Sequence, residues 1–354
     1  MQLLYFSARR MSTLISRALT ITKLGDPRKV LELQKTHVST KLAEKEVLIK
    51  WLASPINPLD INKIEGAYPG SESPKIGGSE AVGVVEKAGA SSTFQPGDSV
   101  IPIGMGGDLW SEYDVVEDEN LIKIRSNIDL ISAATLLINP PTAYVMLKHF
   151  VDLNPGDYII QNSANSGVGR AVIEIANAWG YKSINLIRDR PNVDELKADL
   201  KKIGANFVFT EEEFRKENRK ISSEFDIKLA LNGVGGRSAL AISAVLTPGG
   251  TIVTYGGMSK KPAEIPTSAF VFKGIRAFGV AVGKWMCIEE NRPLVDQMFD
   301  ELQDLIVQGK LHPPPVETHD LENFQDAIDR TLEGKNPKQV LLIHPDYKKF
   351  MAKL

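Results

Sequence analysis

The sequence predicts an α/β protein of two domains, a small β-barrel followed by a doubly wound parallel sheet. Three observations predict it. A chain of 354 residues suggests about two domains. Up to residue 124 it offers many short apolar runs divided by Gly and Pro turns, the pattern of a small barrel. From Asp157 onward strand-like and helix-like segments alternate, and the first pair is joined by a Gly-containing turn, the opening of a dinucleotide-binding unit.

The elements follow in order. Residues before Asp26 include Arg9, Arg10, Arg17 and Lys23, several Ser and Thr, and no acid. That is the composition of a mitochondrial presequence, so residues 1–18 are assigned to one. Residues 18–33 and 45–54 read as strands. Pro55 and Pro58 then break the chain, and 59–64 can form a short helix. Residues 65–77 (EGAYPGSESPKIG) hold too much Gly, Pro and Ser for a regular element, and Tyr68 is their one aromatic. Strands are expected at 78–89, 99–103, 110–116 and 121–124. Residues 127–150 read as mostly helical, interrupted at Asn139-Pro140-Pro141.

Residues 158–161 form an apolar run bounded by turn residues and read as a buried strand. Residues 168–179 place Val168, Val172, Ile173, Ile175, Ala176 and Trp179 on one helical face, and 183–187 is the next strand. Helices at 193–203, 211–222 and 238–246 then alternate with strands at 207–210, 227–231 and 251–255. A sixth strand is expected within 274–282, and a long amphipathic helix at 291–308. The tail, 316–344, reads as strand, helix, strand, and returns to the β domain.

The turn after the first of these strands departs from G-x-G-x-x-G. Ala164, Ser166 and Gly169 stand at the three glycine positions, with Gly167 added. Gly169 is the one required for close helix–strand packing, and Gly167 lets backbone approach a pyrophosphate at the helix N-terminus. The second strand ends in Arg188-Asp189-Arg190, where the adenosine ribose lies. Asp189 alone would suit the 2′-hydroxyl of NAD. Two guanidiniums favour the 2′-phosphate of NADPH, because each planar fork donates two hydrogen bonds at once.

Composition narrows the function classes. A net charge of −2 argues against nucleic acid or a membrane surface as general partner. The single cysteine, Cys287, excludes an internal disulfide and a thiolate-rich zinc site, and the five histidines are scattered without ligand spacing. No apolar run reaches transmembrane length.

Seven stretches, in order, resemble the zinc-free medium-chain dehydrogenase/reductases, and more narrowly the mitochondrial trans-2-enoyl thioester (enoyl-[acyl-carrier-protein]) reductases. They are NPLDINKIEGAYP (57–69), NPPTAYVML (139–147), ANSGVG (164–169), IRDRP (187–191), LALNGVGG (229–236), TYGGM (254–258) and KQVL (338–341). The resemblance implies a GroES-like β-barrel catalytic domain over 19–145, a Rossmann NADPH-binding domain over 146–288, and a return of 289–354 to the first. It also implies a homodimer in the mitochondrial matrix. It implies no metal, because Gly78-Ser79-Glu80 stands where zinc-dependent relatives carry G-H-E.

The implied reaction is NADPH-dependent reduction of the C2=C3 double bond of an enoyl thioester carried by acyl carrier protein or coenzyme A. Hydride goes to C3 and a proton to C2. By the motif match Tyr68 is the acid, and independently a phenol of pKa about 10 stays protonated at neutral pH and can donate. The match carries cofactor roles onto Asn139 and Thr142 at the nicotinamide end. It carries them onto Asn165, Ser166, Gly167, Val168 and Gly169 at the pyrophosphate, and onto Arg188, Asp189 and Arg190 at the ribose. Tyr255, Gly256, Gly257, Met258, Phe278, Gly279 and Val280 would line the rim, and Lys338 would approach from the tail. Gly279 replaces an expected aromatic and would widen the acyl pocket. Val145 stands where many members have Arg. Lys273, Arg276 and Lys284 are candidates to face an acidic carrier protein. Two other readings compete: a quinone or alkenal reductase of the same superfamily, and a non-catalytic NADPH-binding protein.

Overall fold

The structure, a computed structural model, describes residues 13–67, 76–103, 107–334 and 337–351. The chain divides into two compact units, one comprising residues up to Ala134 plus Val316–Leu354, the other Thr135–Pro315. The divisions therefore fall before and after those expected at 145/146 and 288/289. The cause is two helices, Asn139–Lys148 and Arg292–Val307. The Tyr144 hydroxyl donates to Glu301 at 2.9 Å, and its ring meets Trp179 edge-on at 5.3 Å. Both helices are thereby anchored to the second unit.

The first unit begins with β1 (Thr13–Ile21), β2 (Leu31–Ser39), β3 (Glu46–Pro55), β4 (Val82–Ala88), β5 (Ser99–Pro102), β6 (Tyr113–Glu117) and β7 (Leu121–Ile124). The strand expected at 18–33 is instead parts of two. β1 and β2 pair antiparallel from Thr13↔Ser39 to Ile21↔Leu31. Between them Asp26 caps a single helical turn, Pro27–Val30, and Pro27 lacks the N–H a continuing strand would need. β1 also begins inside the expected leader, and Ala18 is fully buried. Residues 1–12 of that leader lie outside the described residues.

β3 is buried at successive residues along most of its length, and so on both faces. It pairs with β4 on one side and with β6 on the other. A strand covered on both faces needs continuous apolar residues rather than alternation, which explains VLIKWLAS. Its Trp51 packs in one core with Leu19, Trp110 and Leu341.

One charge in this unit is misplaced for stability. Burial pushes the Asp114 carboxyl up to about 6; the Val115 amide opposes this and Asp108 adds to it. A raised carboxylate pKa means the fold binds the proton more tightly than the unfolded chain does. The resulting cost is absent below pH 3.8, builds up between 3.8 and about 6, and is full above that. We expect Asp114→Asn to stabilise the protein by about 1–3 kcal/mol at pH 8 and not at pH 3.5. Thermal unfolding across that range is the check, and a gain independent of pH would contradict it.

The second unit carries β8 (Tyr158–Gln161), β9 (Lys182–Ile187), β10 (Phe207–Thr210), β11 (Ile227–Asn232), β12 (Thr251–Thr254) and β13 (Arg276–Gly279). The order is β10-β9-β8-β11-β12-β13, and every pairing is parallel. This is the doubly wound arrangement, with its switch point between β8 and β11. Asn139-Pro140-Pro141 starts a helix rather than interrupting one; prolines fit the first turn, where no N–H partner exists. Two short helices, Thr267–Lys273 and Val282–Met286, were not legible in the sequence. In the first, Phe270, Val271 and Phe272 are all exposed, so no apolar stripe marks it.

The tail supplies β14 (Val316–Asp320), the helix Phe324–Glu333 and β15 (Lys338–Leu342). β15 pairs antiparallel with β3, Val340 opposite Pro55, so the end of the chain completes the first unit's sheet. Among the described residues no helix is long and apolar enough to cross a membrane.

Candidate active site

In the second unit the carboxyl end of β8 leads into Ser163, whose φ of 56° is left-handed, and then into the helix Gly167–Ala178. Ser166 caps this helix, its hydroxyl accepting from the Gly169 amide at 3.1 Å. The Gly167 and Val168 amides have no carbonyl one turn earlier to bond. They point out of a helix end bearing roughly half a positive charge, a natural anion seat.

Gly169 is fixed by contact. A Cβ there would lie 2.5 Å from the Ser163 carbonyl oxygen and 2.6 Å from that of Ala164. Both are backbone and cannot swing aside. Gly169→Ala should therefore cost about 1–3 kcal/mol and weaken NADPH binding by displacing the turn. Urea unfolding with a cofactor fluorescence titration would check this; unchanged values in both would contradict it.

The surroundings of the helix end offer buried polar atoms without protein partners. Asn139 begins its helix without capping it. Its Nδ2 is buried with no hydrogen-bond partner, 2.8 Å from where a Gly167 Cβ would stand. The Tyr255 ring is partly exposed, but its hydroxyl is buried and lacks a partner of bonding geometry. Burial pushes that phenol up to about 12, offset in part by the nearby Ser166 hydroxyl, so it remains a donor. Two orphaned donors beside two free amides fit the oxygens of a dinucleotide's phosphates. The donor set thus agrees with an NADPH site.

The other expected residues fall as follows. Asn165 lies in the turn before the cap. Thr142 is buried and its hydroxyl donates to the Ile138 carbonyl at 2.6 Å, leaving only acceptor capacity. Arg188 and Asp189 are exposed just past β9 and Arg190 is partly buried. The Asp189 carboxylate accepts from the Arg190 backbone amide at 2.9 Å, and neither guanidinium has an ion pair among the described residues. Tyr255, Gly256, Gly257 and Met258 follow β12, beside the switch point. Phe278 and Gly279 lie on the exposed β13 and Val280 just beyond it. The Phe278 ring touches that of Phe150 at 5.6 Å. Lys273 is engaged, its ammonium donating to the Ala244 and Leu246 carbonyls at 2.8 Å each, so it is not free to face a carrier protein. Arg276 and Lys284 are exposed.

In the first unit Tyr68 lies outside the described residues. The segment before it is held by a buried polar cluster that sequence reasoning missed. The Asn57 amide nitrogen donates to Glu80 at 2.9 Å, and its oxygen accepts from the Lys338 ammonium at 2.5 Å. Asp60 accepts from the Asn57 backbone amide at 2.7 Å, and Lys63 donates to Ser79 at 3.0 Å. Burial holds the Lys338 ammonium below the usual lysine range, while Glu80 and Asp60 pull it back up. Burial raises the Asp60 carboxyl, against Ser79 and the Asn57 amide. Two acidic and two basic side chains thus share one buried cluster. Among the described residues no group of three or more His, Cys, Asp or Glu could hold a metal ion.

Also missed was a buried amide network at the strand ends of the second unit, formed by Asn162 of the turn after β8 and Asn232 at the end of β11. The signal was present, as both are polar residues closing apolar runs, but a strand-end Asn reads equally as a turn residue.

Residues 43–126 match the alcohol dehydrogenase GroES-like domain and residues 167–300 the zinc-binding dehydrogenase domain. A mitochondrial enoyl-[acyl-carrier-protein] reductase of Caenorhabditis elegans is 52% identical over 335 residues, 94% of this chain and 97% of that protein. The human protein of the same name is 42% identical over 331 residues, 92% of this chain and 88% of its own. Among solved structures, the Etr1p/NADP/crotonyl-CoA complex superposes with a TM-score of 0.84 at 32% identity, covering 93% of this chain and 100% of that one. The Etr1p/Etr2p heterodimer of Candida tropicalis, a mitochondrial 2-enoyl thioester reductase, superposes at 0.85 with the same identity and coverage.

Proposed function

The chain belongs to the mitochondrial enoyl-[acyl-carrier-protein] reductases of the medium-chain dehydrogenase/reductase superfamily, and from that premise we propose how its own residues carry the reaction. It is an NADP-dependent oxidoreductase of mitochondrial fatty acid synthesis that reduces enoyl thioesters. The observation that carries the cofactor reading is the free helix end at Gly167 and Val168 with its two orphaned donors, Asn139 Nδ2 and Tyr255 Oη.

NADPH, when bound, supplies the hydride that reduces C3. The chain does the rest. Asn165, Ser166, Gly167, Val168 and Gly169 hold the pyrophosphate, and Arg188 and Arg190 clamp the 2′-phosphate, with Asp189 at the ribose. Asn139 and Thr142 orient the nicotinamide end, Thr142 as acceptor. The rim of Tyr255, Gly256, Gly257, Met258, Phe278, Gly279 and Val280 excludes water, and Lys338 serves the cofactor from the tail. Tyr68 gives its phenolic proton to C2.

The substrate is carried by acyl carrier protein, in the mitochondrial matrix. Two chains associate as a homodimer through β13. That strand is an edge, exposed along its length, and an unpaired edge beside the exposed Phe270, Val271 and Phe272 invites a second copy.

The test is NADPH oxidation with trans-2-enoyl thioesters of several lengths, with acyl carrier protein and coenzyme A as carriers, NADH in parallel and a quinone as control. Turnover of enoyl thioesters with NADPH is expected; turnover of the quinone alone would overturn the reading. Sedimentation of the same preparation tests the dimer, and a monomer at micromolar concentration would refute it.

A further inference from the structure

The buried amides of Asn162 and Asn232 have no part in the roles above. Both are fully buried, and burying an amide is costly unless its hydrogen bonds are made. Here they are. Asn162 Nδ2 donates to Asn232 Oδ1 at 2.8 Å and to the Ser238 hydroxyl at 3.2 Å, while its Oδ1 accepts from the Gly233 amide at 2.8 Å. Asn232 Oδ1 also accepts from the amides of Val234 at 3.2 Å and Gly235 at 3.0 Å, and its Nδ2 donates to Thr254 Oγ1 at 3.1 Å. Acceptance from three backbone amides fixes which end of each side chain is oxygen.

The network spans the switch point. Asn162 follows β8, Asn232 ends β11 and Thr254 ends β12, so the carboxyl ends of three strands are tied together. What they hold is the turn 233–235. On its far side the same turn is fastened by the amides of Met258 and Ser259, which donate to the Gly233 and Val234 carbonyls at 3.1 and 2.9 Å. Gly233 in turn lies directly under the Tyr255 hydroxyl, where a Cβ would stand 2.6 Å from that oxygen. That hydroxyl is the orphaned donor beside Ser166.

We propose that Asn162 and Asn232 are positioning residues for the cofactor. Together they fix the 233–235 turn, and through it the Tyr255 hydroxyl, against the helix end at Gly167, so that the dinucleotide meets a cradle already formed. Both side chains are fully buried and so act through the turn. Their contribution is preorganisation, which appears in affinity rather than in the chemical step. The inference rests on the NADPH reading above.

The experiment compares Asn162→Ala, Asn232→Ala and the double variant by NADPH fluorescence titration and by kcat at saturating NADPH, both well below each variant's melting temperature, and separately by thermal unfolding. Asn185→Ala is the control. Asn185 is another fully buried amide, bonded to Gln161, Ser183 and the Phe207 carbonyl and not to the turn. The expected result is an NADPH Kd raised tenfold or more in each single variant. The double variant should be no worse than either single variant, and kcat within threefold of wild type. Asn185→Ala should lose thermal stability with Kd within threefold of wild type, since Gln161 keeps its own bond to the Gly169 carbonyl at 2.9 Å. If the Asn162 and Asn232 variants also lose only stability, the proposal is overturned and the network is structural. Should these variants fail to fold, Thr254→Val removes the outermost bond alone and should still raise Kd at least threefold; an unchanged Kd there overturns the proposal equally. Wild-type protein that does not bind NADPH would refute the cofactor reading itself, which distinguishes the two failures.

Discussion

Tyr68→Phe loses at least a hundredfold in kcat for enoyl thioester reduction while the NADPH dissociation constant stays within threefold of wild type. The magnitude follows from the role. Positioned general acids contribute about 10²–10⁴ in rate, and phenylalanine keeps the ring while removing the only transferable proton. Cofactor affinity stays because the atoms proposed to hold the phosphates belong to a different part of the chain, the turn at Ser166 and Gly167 and the arginines past β9. The two readouts separate a proton donor from a packing residue. An aromatic merely wedged into its loop would tolerate the change in both. A kcat within threefold of wild type would remove Tyr68 from the mechanism and leave the acid to be found elsewhere.

Replacing both Arg188 and Arg190 by Ala raises the KM for NADPH by about 10²–10⁴ and leaves that for NADH within a few-fold. Each charge-assisted bond to a phosphate is worth roughly 1.5–3 kcal/mol, and about 1.4 kcal/mol is a factor of ten. Neither guanidinium is committed to an ion pair among the described residues, so nothing else is lost with it. Asp189 remains to accept a ribose hydroxyl, as NAD would require. The preference should also weaken in the native protein as salt is raised, since the arginines are at least partly open to solvent. Equal losses for the two cofactors would show that the arginines act on something the cofactors share, and the 2′-phosphate assignment would fall.

The dinucleotide unit was legible in the sequence because its signals are local. Apolar runs of four residues, Gly-stopped helices and turns such as Asn232-Gly233 mark each boundary within a few residues, and the parallel order follows from strict alternation. The turn after β8 and the start of the helix it leads into could be read for the same reason. The first unit was harder. Its reversal at Asp26-Pro27 sits inside what looks like one continuous run, so 18–33 passed for a single strand. Asn139-Pro140-Pro141 misled in the opposite sense, since prolines break a helix in its middle and start one at its end.

What could not be read at all was the pairing of buried polar groups. Asn162 meets Asn232 across 70 residues and Lys338 meets Asn57 across 281. Neither partner carries a mark that it will be buried, and only the fold brings them together. The same holds for Lys273, legible as a surface cation and found closing the carbonyl end of its neighbour helix.

The return of β15 to β3 has a consequence for how the molecule comes into being. Val340 must find Pro55, so the first unit cannot finish its sheet until almost the whole chain has emerged. Thr135–Pro315 is uninterrupted and can fold as soon as it is made, drawing the two ends of the other unit nearer and lowering the entropy of closing so long a loop. Until then β3, mostly apolar, waits with an open edge, which is the hazard a partly synthesised or partly imported chain must be shielded from. A chain stopped before Val316 should show this under brief proteolysis: Thr135–Pro315 protected, the segment holding β3 cut. Equal protection of both would mean that the first unit does not need its tail to fold.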